Sequence, residues 1–219
     1  VIGRVGLIEQ TIFKIKTMKN LKFSFLLIST LAILFVAEVQ AQEFYKLQTN
    51  NSKLVVTGTS TIHDWEMEAT DFYAETLLKI EGNTVSEISQ IEFNSPVEGL
   101  QSGKRVMDSK AHDALKEKKF PEVKFVLNKN GEVNFSGNNG KVTGLLTIAG
   151  KTKEVQLNVD LDVLSAQQFK VSGQAPVKMS DFGIDPPTAV MGTIKTGDDV
   201  VVKFDFEFNR SSAEYTRSN

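Results

Sequence analysis

Any side-chain chemistry in this chain has to start from two histidines, because it holds no cysteine and only His63 and His112. His63 sits in the stretch TIHDWEMEA, residues 61–69. Read as a β-strand, this stretch places His63, Trp65, Met67 and Ala69 on one face and Asp64, Glu66 and Glu68 on the other. One ionisable group then shares an apolar face. It reads as the start of a catalytic site, as a polar position in a greasy cavity, or as a core histidine bonded to backbone. His112, beside Asp113, reads as a solvated surface histidine. A mononuclear zinc site needs three or four ligands, and no H-x-x-x-H pairing is present. There is no G-x-S-x-G elbow to activate Ser60, Ser109 or Ser180. Nearly all acids fall on the polar parity of their segments; Asp181 and Asp185 are the exceptions. The glycines mark turns rather than a phosphate loop. These absences weigh against an enzyme, and no catalytic residue, metal or cofactor is expected.

The elements that must position these residues are strands. EVQLNVDLDV (154–163) alternates strictly, with Val155, Leu157, Val159, Leu161 and Val163 on one side, the signature of a half-buried antiparallel strand. VVKFDFEFN (201–209) repeats it with Val202, Phe204, Phe206 and Phe208. PEVKFVLNK (121–129) aligns Val123, Phe125 and Leu127. FKVSGQAPVKM (169–179) aligns Phe169, Val171, Ala175, Val177 and Met179. Weaker strands are expected at 52–60, 72–82, 85–95 and 140–149, separated by turns at Gly82-Asn83, Asn130-Gly131, Gly137-Asn138 and Ala149-Gly150. Many strands of this length indicate a sandwich or a barrel. DSKAHDALKEKK (108–119) is the single helix expected, capped by Asp108 and stopped before Pro121. The stretch 180–199 is long for a loop and carries Phe182, Ile184, Val190 and Met191, which need something to cover.

A closed sheet of about eight strands leaves a lumen wide enough for side chains or one slender ligand. The inward candidates are Trp65, Met67, Phe93, Phe125, Leu127, Leu146, Ile148, Val171, Met179, Phe204 and Phe206, with Phe182 from the long loop. Either they fill the interior, giving an interaction or envelope-stress module, or they line a cavity.

Residues 1–17 read as an over-long leader from the gene start. Residues 18–41 read as a secretory signal peptide: Lys19 and Lys22 precede a 15-residue apolar run (23–37), and Val39 and Ala41 stand at small-residue positions. The run is short of the roughly 20 residues a spanning helix needs. Cleavage leaves one domain, 42–209, with a flexible tail at 210–219 and a periplasmic destination. The first 41 residues hold five basic and two acidic groups, so the remainder has 20 against 25 and a net charge of −5. Such a domain is ill suited to nucleic acid or to lying permanently on anionic lipid. With no cysteine, disulfides are excluded and the fold rests on its core.

The blocks SKLVVTGTSTIHDWEMEATDF, LQSGKRVMDSKAHDALKEKKFPEVKFVL, GKVTGLLTIAGKTKEVQLNV and VKMSDFGIDPP, in this order and spacing, resemble the YceI-like, polyisoprenoid-binding family over roughly Phe44 to Phe208. The resemblance implies an all-β, antiparallel, lipocalin-like barrel with one α-helix, holding a long isoprenoid or similar amphiphilic lipid. The family's early histidine falls on His63 and its basic-x-x-acidic stretch on Arg105 and Asp108, where this chain inserts Val106-Met107. His63 and Arg105 are the candidate handles for a head group. Transient membrane contact and a homodimer are both compatible with this reading; an enzyme acting on a lipid is the remaining alternative.

Overall fold

The computed structural model describes residues 42–129 and 133–212. The leader and signal-peptide readings, the Asn130-Gly131 turn and most of the expected tail lie outside the described residues. The strands are β1 (Glu43–Leu47), β2 (Lys53–Ser60), β3 (Trp65–Ala69), β4 (Tyr73–Glu81), β5 (Thr84–Pro96), β6 (Leu100–Gln101), β7 (Glu122–Leu127), β8 (Val133–Ser136), β9 (Asn139–Ile148), β10 (Lys151–Ser165), β11 (Gln168–Lys178), β12 (Thr188–Ala189) and β13 (Ile194–Arg210). One helix, α1 (Arg105–Ala114), lies between β6 and β7.

Alternating sequence becomes a closed ring. β1, β4, β5, β7, β9, β10, β11 and β13 pair in that order, and β13 returns to β1 through Tyr45↔Arg210 and Leu47↔Phe208. All pairings are antiparallel, so this is the eight-stranded barrel that the sequence implied. The 154–163 and 201–209 alternations hold: Val159, Leu161, Val163, Phe206 and Phe208 are buried while Asp160, Asp162, Lys203 and Asp205 are exposed.

Three neighbouring strands are each broken at one level. Along the edge of β13, β1 ends opposite Phe208 and β2 resumes opposite Asp205, with residues 48–52 bulging between. β3 and β4 continue one another across residues 70–72, and β5 and β6 across a 3-10 turn, Val97–Gly99. The breaks are stitched by hydrogen bonds that no local pattern announces. Thr70 donates from N and Oγ1 to the Gly99 carbonyl at 2.8 and 3.0 Å, and Thr49 Oγ1 donates to the Phe72 carbonyl at 3.1 Å.

Glu207 shows what the first break costs and how it is held. Its parity points outward, yet the bulge folds over it and it is buried. Asn51 Nδ2 and Gln168 Nε2 donate to its carboxylate at 2.8 and 2.9 Å, and Lys170 stands 3.6 Å away. Its backbone bonds Ser52 Oγ and Gln48 N. The Asn51 hydrogen bond, with smaller help from Gln168 and Lys170, holds the carboxyl below its ordinary range despite burial.

One end of the barrel is packed shut by aromatics. Phe169 stacks on Phe208 at 4.9 Å, Tyr45 meets Phe169 edge-on at 5.2 Å, and Phe206 stacks between Phe72 and Phe93 at 5.4 and 5.8 Å, geometries that add to simple burial. Tyr45 is fully buried and its hydroxyl donates to the Ala166 carbonyl at 2.7 Å. At the other end β6 pairs with β3 among the described strands, and α1 occupies its open side.

The helix differs from its sequence expectation. It starts at Arg105, three residues before Asp108, because the Asp108 carboxylate reaches back to Ser102 N and Oγ at 2.7 and 2.6 Å and so secures the turn preceding the helix. It ends at Ala114 rather than near Pro121, since Lys116 takes a left-handed φ of 58° that no helix continues. His112 is not a solvated surface group. Its Nε2 donates to the Leu100 carbonyl at 2.8 Å, tying the helix to β6.

Glu207→Ala is expected to lower the thermal midpoint by several degrees near neutral pH. A carboxyl whose folded pKa is depressed stabilises above its unfolded value and loses that contribution as pH falls through the folded one. The gap between variant and parent, followed by circular dichroism, should therefore close in acid.

Candidate functional site

The ring encloses a cavity of about 580 Å³, within the range that takes a drug-sized or larger apolar ligand. Its wall is drawn from the inward parity of every ring strand except β1, together with β2, β3 and β6. The midsection is hydrocarbon: Leu54, Met67, Ala74, Phe125, Val142, Leu161, Val177 and Val202 all face it. Thr76 and Ser95 are the polar side chains there, and each is spent on backbone, Thr76 on the Gln90 carbonyl at 2.7 Å and Ser95 on that of Asp71 at 3.3 Å.

The lumen stays open because of four glycines on the inward parity. Gly58 pairs with Trp65, Gly140 with Phe135 and Gly173 with Phe204, each directly across a ladder. Gly144 lies under the ring of Phe125. A Cβ at Gly173 would come within 2.7 Å of Phe204 Cζ, and at Gly58, Gly140 and Gly144 it would collide with the covering ring. Each ring therefore lies flat on the wall rather than projecting across the lumen. Sequence reasoning took the glycines as turn markers. The available signal was glycine inside a strand at core parity, which marks a close approach.

The rim differs from the wall. Ser60, His63, Lys104, Lys110, Thr188 and Thr196 gather at the mouth, and no aspartate or glutamate is among the residues lining the cavity. His63 does not lie on a strand inside the lumen. Ser60 Oγ donates to the His63 carbonyl at 2.7 Å and accepts from His63 N at 3.3 Å, so residues 61–64 turn tightly and β3 begins only at Trp65. The histidine is left exposed at the rim, its Nδ1 donating to the Asp64 carbonyl at 2.7 Å. Trp65 Nε1 donates to the Thr59 carbonyl at 3.0 Å, which fixes the indole over Gly58.

Of the residues singled out from sequence, His63, Trp65, Met67, Phe93, Phe125 and Leu146 line the cavity, as do Ile148, Val171, Met179, Phe204 and Phe206. Three do not. Arg105 projects from the outer side of α1 into a shallow groove with Asp108, His112 and Asp113. Leu127 packs behind Phe125 and Val142. Phe182 is buried beside Ile148, Val177 and Val200, under the loop whose Ile184 reaches the cavity in its place. The basic groups that do reach the mouth, Lys104 and Lys110, were missed because they sit in a short connection and on a helix, where strand parity says nothing. Among the described residues, no three histidine or carboxylate side chains come together as metal ligands.

The family model of the YceI-like domain matches residues 45–208. BcnA of Burkholderia cenocepacia superposes with a TM-score of 0.60 at 20% identity, covering 74% of this chain and 98% of that one. A polyisoprenoid binding domain from Saccharophagus degradans, implicated in plant cell wall breakdown, gives 0.56 at 16%, covering 76% and 98%. The Campylobacter jejuni YceI protein gives 0.54 at 18%, covering 67% and 85%. No curated protein matches in sequence. At these identities the solved structures establish a shared fold.

Gly58→Ala should lift the Trp65 indole off the wall and break its bond to Thr59, at an overpacking cost of about 1–3 kcal/mol. Trp65 is the chain's single tryptophan, so its emission reports the change directly. A spectrum and melting curve identical to the parent's would show that the ring has room the structure denies it.

Proposed function

The chain belongs to the YceI-like family, and on that premise we propose that it is an exported binding protein whose barrel takes up the hydrocarbon chain of a polyisoprenoid or similar amphiphilic lipid. The observation that carries this reading is the cavity: an apolar lumen with a polar, basic rim. Each buried CH₂ contributes about 0.8 kcal/mol, so ten of them supply about 8 kcal/mol before the entropic costs of association. A wall of hydrocarbon gives affinity for length and little for shape. The isoprenoid assignment draws on the Saccharophagus degradans domain, which has the same fold.

The head group belongs at the mouth, where His63, Lys104 and Lys110 offer donors and positive charge and the wall offers no carboxylate. That chemistry favours a head that accepts hydrogen bonds, a phosphate or carboxylate before an alcohol. Binding rather than turnover is supported by the same inventory, since acid–base work would ask for groups of opposed pKa converging on one point of the lumen. Export is supported by the basic, apolar and small-residue succession of residues 18–41. The rival reading of a filled barrel asks for a packed interior, and a cavity of about 580 Å³ favours the carrier.

Native mass spectrometry with lipid extraction tests the proposal. A co-purified amphiphile, or a saturable change in Trp65 emission on titration with a polyprenyl phosphate, is expected; neither signal with any chain length would overturn it. The double variant Lys104→Ala, Lys110→Ala should weaken a polyprenyl phosphate roughly tenfold and leave the corresponding alcohol nearly unchanged.

A further inference from the structure

The most exposed large apolar side chains of the described residues are not scattered. Ile62 is 61% exposed, Val106 73%, Val190 68% and Met191 fully so. They stand on three segments that border the mouth: the β2–β3 turn, the first turn of α1 and the β12–β13 hairpin. Ile62 and Val106 line the cavity themselves, as do Thr188 and Ala189 just before the hairpin tip. The three segments are fastened together. Thr61 N donates to the Lys195 carbonyl at 3.0 Å, Lys195 N donates to Thr61 Oγ1 at 3.2 Å, and Lys110 Nζ donates to the Thr188 carbonyl at 2.8 Å.

The hairpin tip carries an independent signal. Gly192 N bonds the Ala189 carbonyl at 3.1 Å, and the two residues between them, Val190 and Met191, have φ of 51° and 53°. Such a turn needs left-handed backbone at both central positions and ordinarily holds Asn-Gly. A β-branched residue there is an outlier. This chain sets aside favourable turn chemistry and, in the same two residues, presents apolar side chains to water with no packing in return. The second cost is removed by an apolar phase outside the protein, and the burial gained there offsets the first.

We propose that the mouth of the barrel docks on the surface of an anionic lipid bilayer, with Ile62, Val106, Val190 and Met191 entering the interfacial region and Lys104 and Lys110 meeting the head groups. The proposal rests on the carrier reading for its purpose: a guest leaves the hydrocarbon of the bilayer and enters that of the lumen without crossing water. Adhesion is local and reversible, because the domain from residue 42 onward carries a net charge of −5 while its rim is basic and apolar together. Asp64 is the acid of the same β2–β3 turn and tempers the attraction.

The absence of cysteine makes a single-site label unambiguous. The full chain with Met191→Cys, carrying an environment-sensitive fluorophore, is mixed with phosphatidylethanolamine–phosphatidylglycerol vesicles. A twin labelled at Leu164→Cys, exposed at the opposite end of the barrel, is the control. A blue shift at position 191 alone is expected, diminished by salt and by the double variant Lys104→Ala, Lys110→Ala. No shift at either position, or equal shifts at both, overturns the proposal. So does a shift at 191 that follows protein concentration without vesicles, which assigns the rim to a second copy of the chain. Trp65 emission with a polyprenyl phosphate in vesicle-free solution reads the carrier function separately, so failure of the docking leaves that reading standing.

Discussion

The structure depends on keeping hydrocarbon against the wall without letting it fill the middle. A sheet rolled into eight strands has just enough interior for its own side chains, and this one directs many phenylalanines inward. Collapse of those rings into the centre would be the favourable outcome for burial alone. Pairing a glycine with an aromatic across the ladder prevents it. The ring gains van der Waals contact with bare backbone on the neighbouring strand and has nothing to gain by standing up. The open lumen is thus a property of the wall, specified residue by residue at Gly58, Gly140, Gly144 and Gly173.

Polarity is sorted along the barrel axis. At one end the stacked rings of Phe169, Phe208, Phe206 and Phe72 leave no room. In the middle the two hydroxyls are silenced by carbonyls of their own wall. At the other end the polar side chains that line the cavity are donors and cations, with no acid among them. A protein that is acidic as a whole has placed the charges that touch its cavity with one sign only, and on the carrier reading that orients an amphiphile with its tail toward the aromatics and its head toward the lysines.

Sequence made the strands legible wherever one face met water and the other did not. β10 and β13 alternate because burial alternates, and the order of the family-like blocks gave the barrel. What it did not reveal depends on contacts between distant residues. The aligned breaks at residues 48–52, 70–72 and Val97–Gly99 are held by Thr49, Thr70 and Glu207 across strands, and no local periodicity records them. Glu207 reads as a solvent-facing acid until the bulge that covers it is seen. His63 reads as luminal because strand parity, carried back two residues from Trp65, runs into the turn that Ser60 holds. Arg105 stands out because the resemblance points to it, whereas which side of α1 faces the mouth depends on how the helix sits against β6.

The joint between β6 and β7 gives the two ends of the vessel different mechanical character. At the aromatic end the circumference is completed by backbone ladders, and changing it means unzipping strands. At the mouth one stave is a helix, attached by His112 to Leu100 and Lys110 to Thr188, with Lys116 just past its end bonded to Gly183. Moving that stave would break those side-chain bonds and unpack Ala114 and Leu115 from the cluster around Ile148 and Ile184, without unzipping the ladders of the aromatic end. The neck of the flask is held by side chains and the base by backbone.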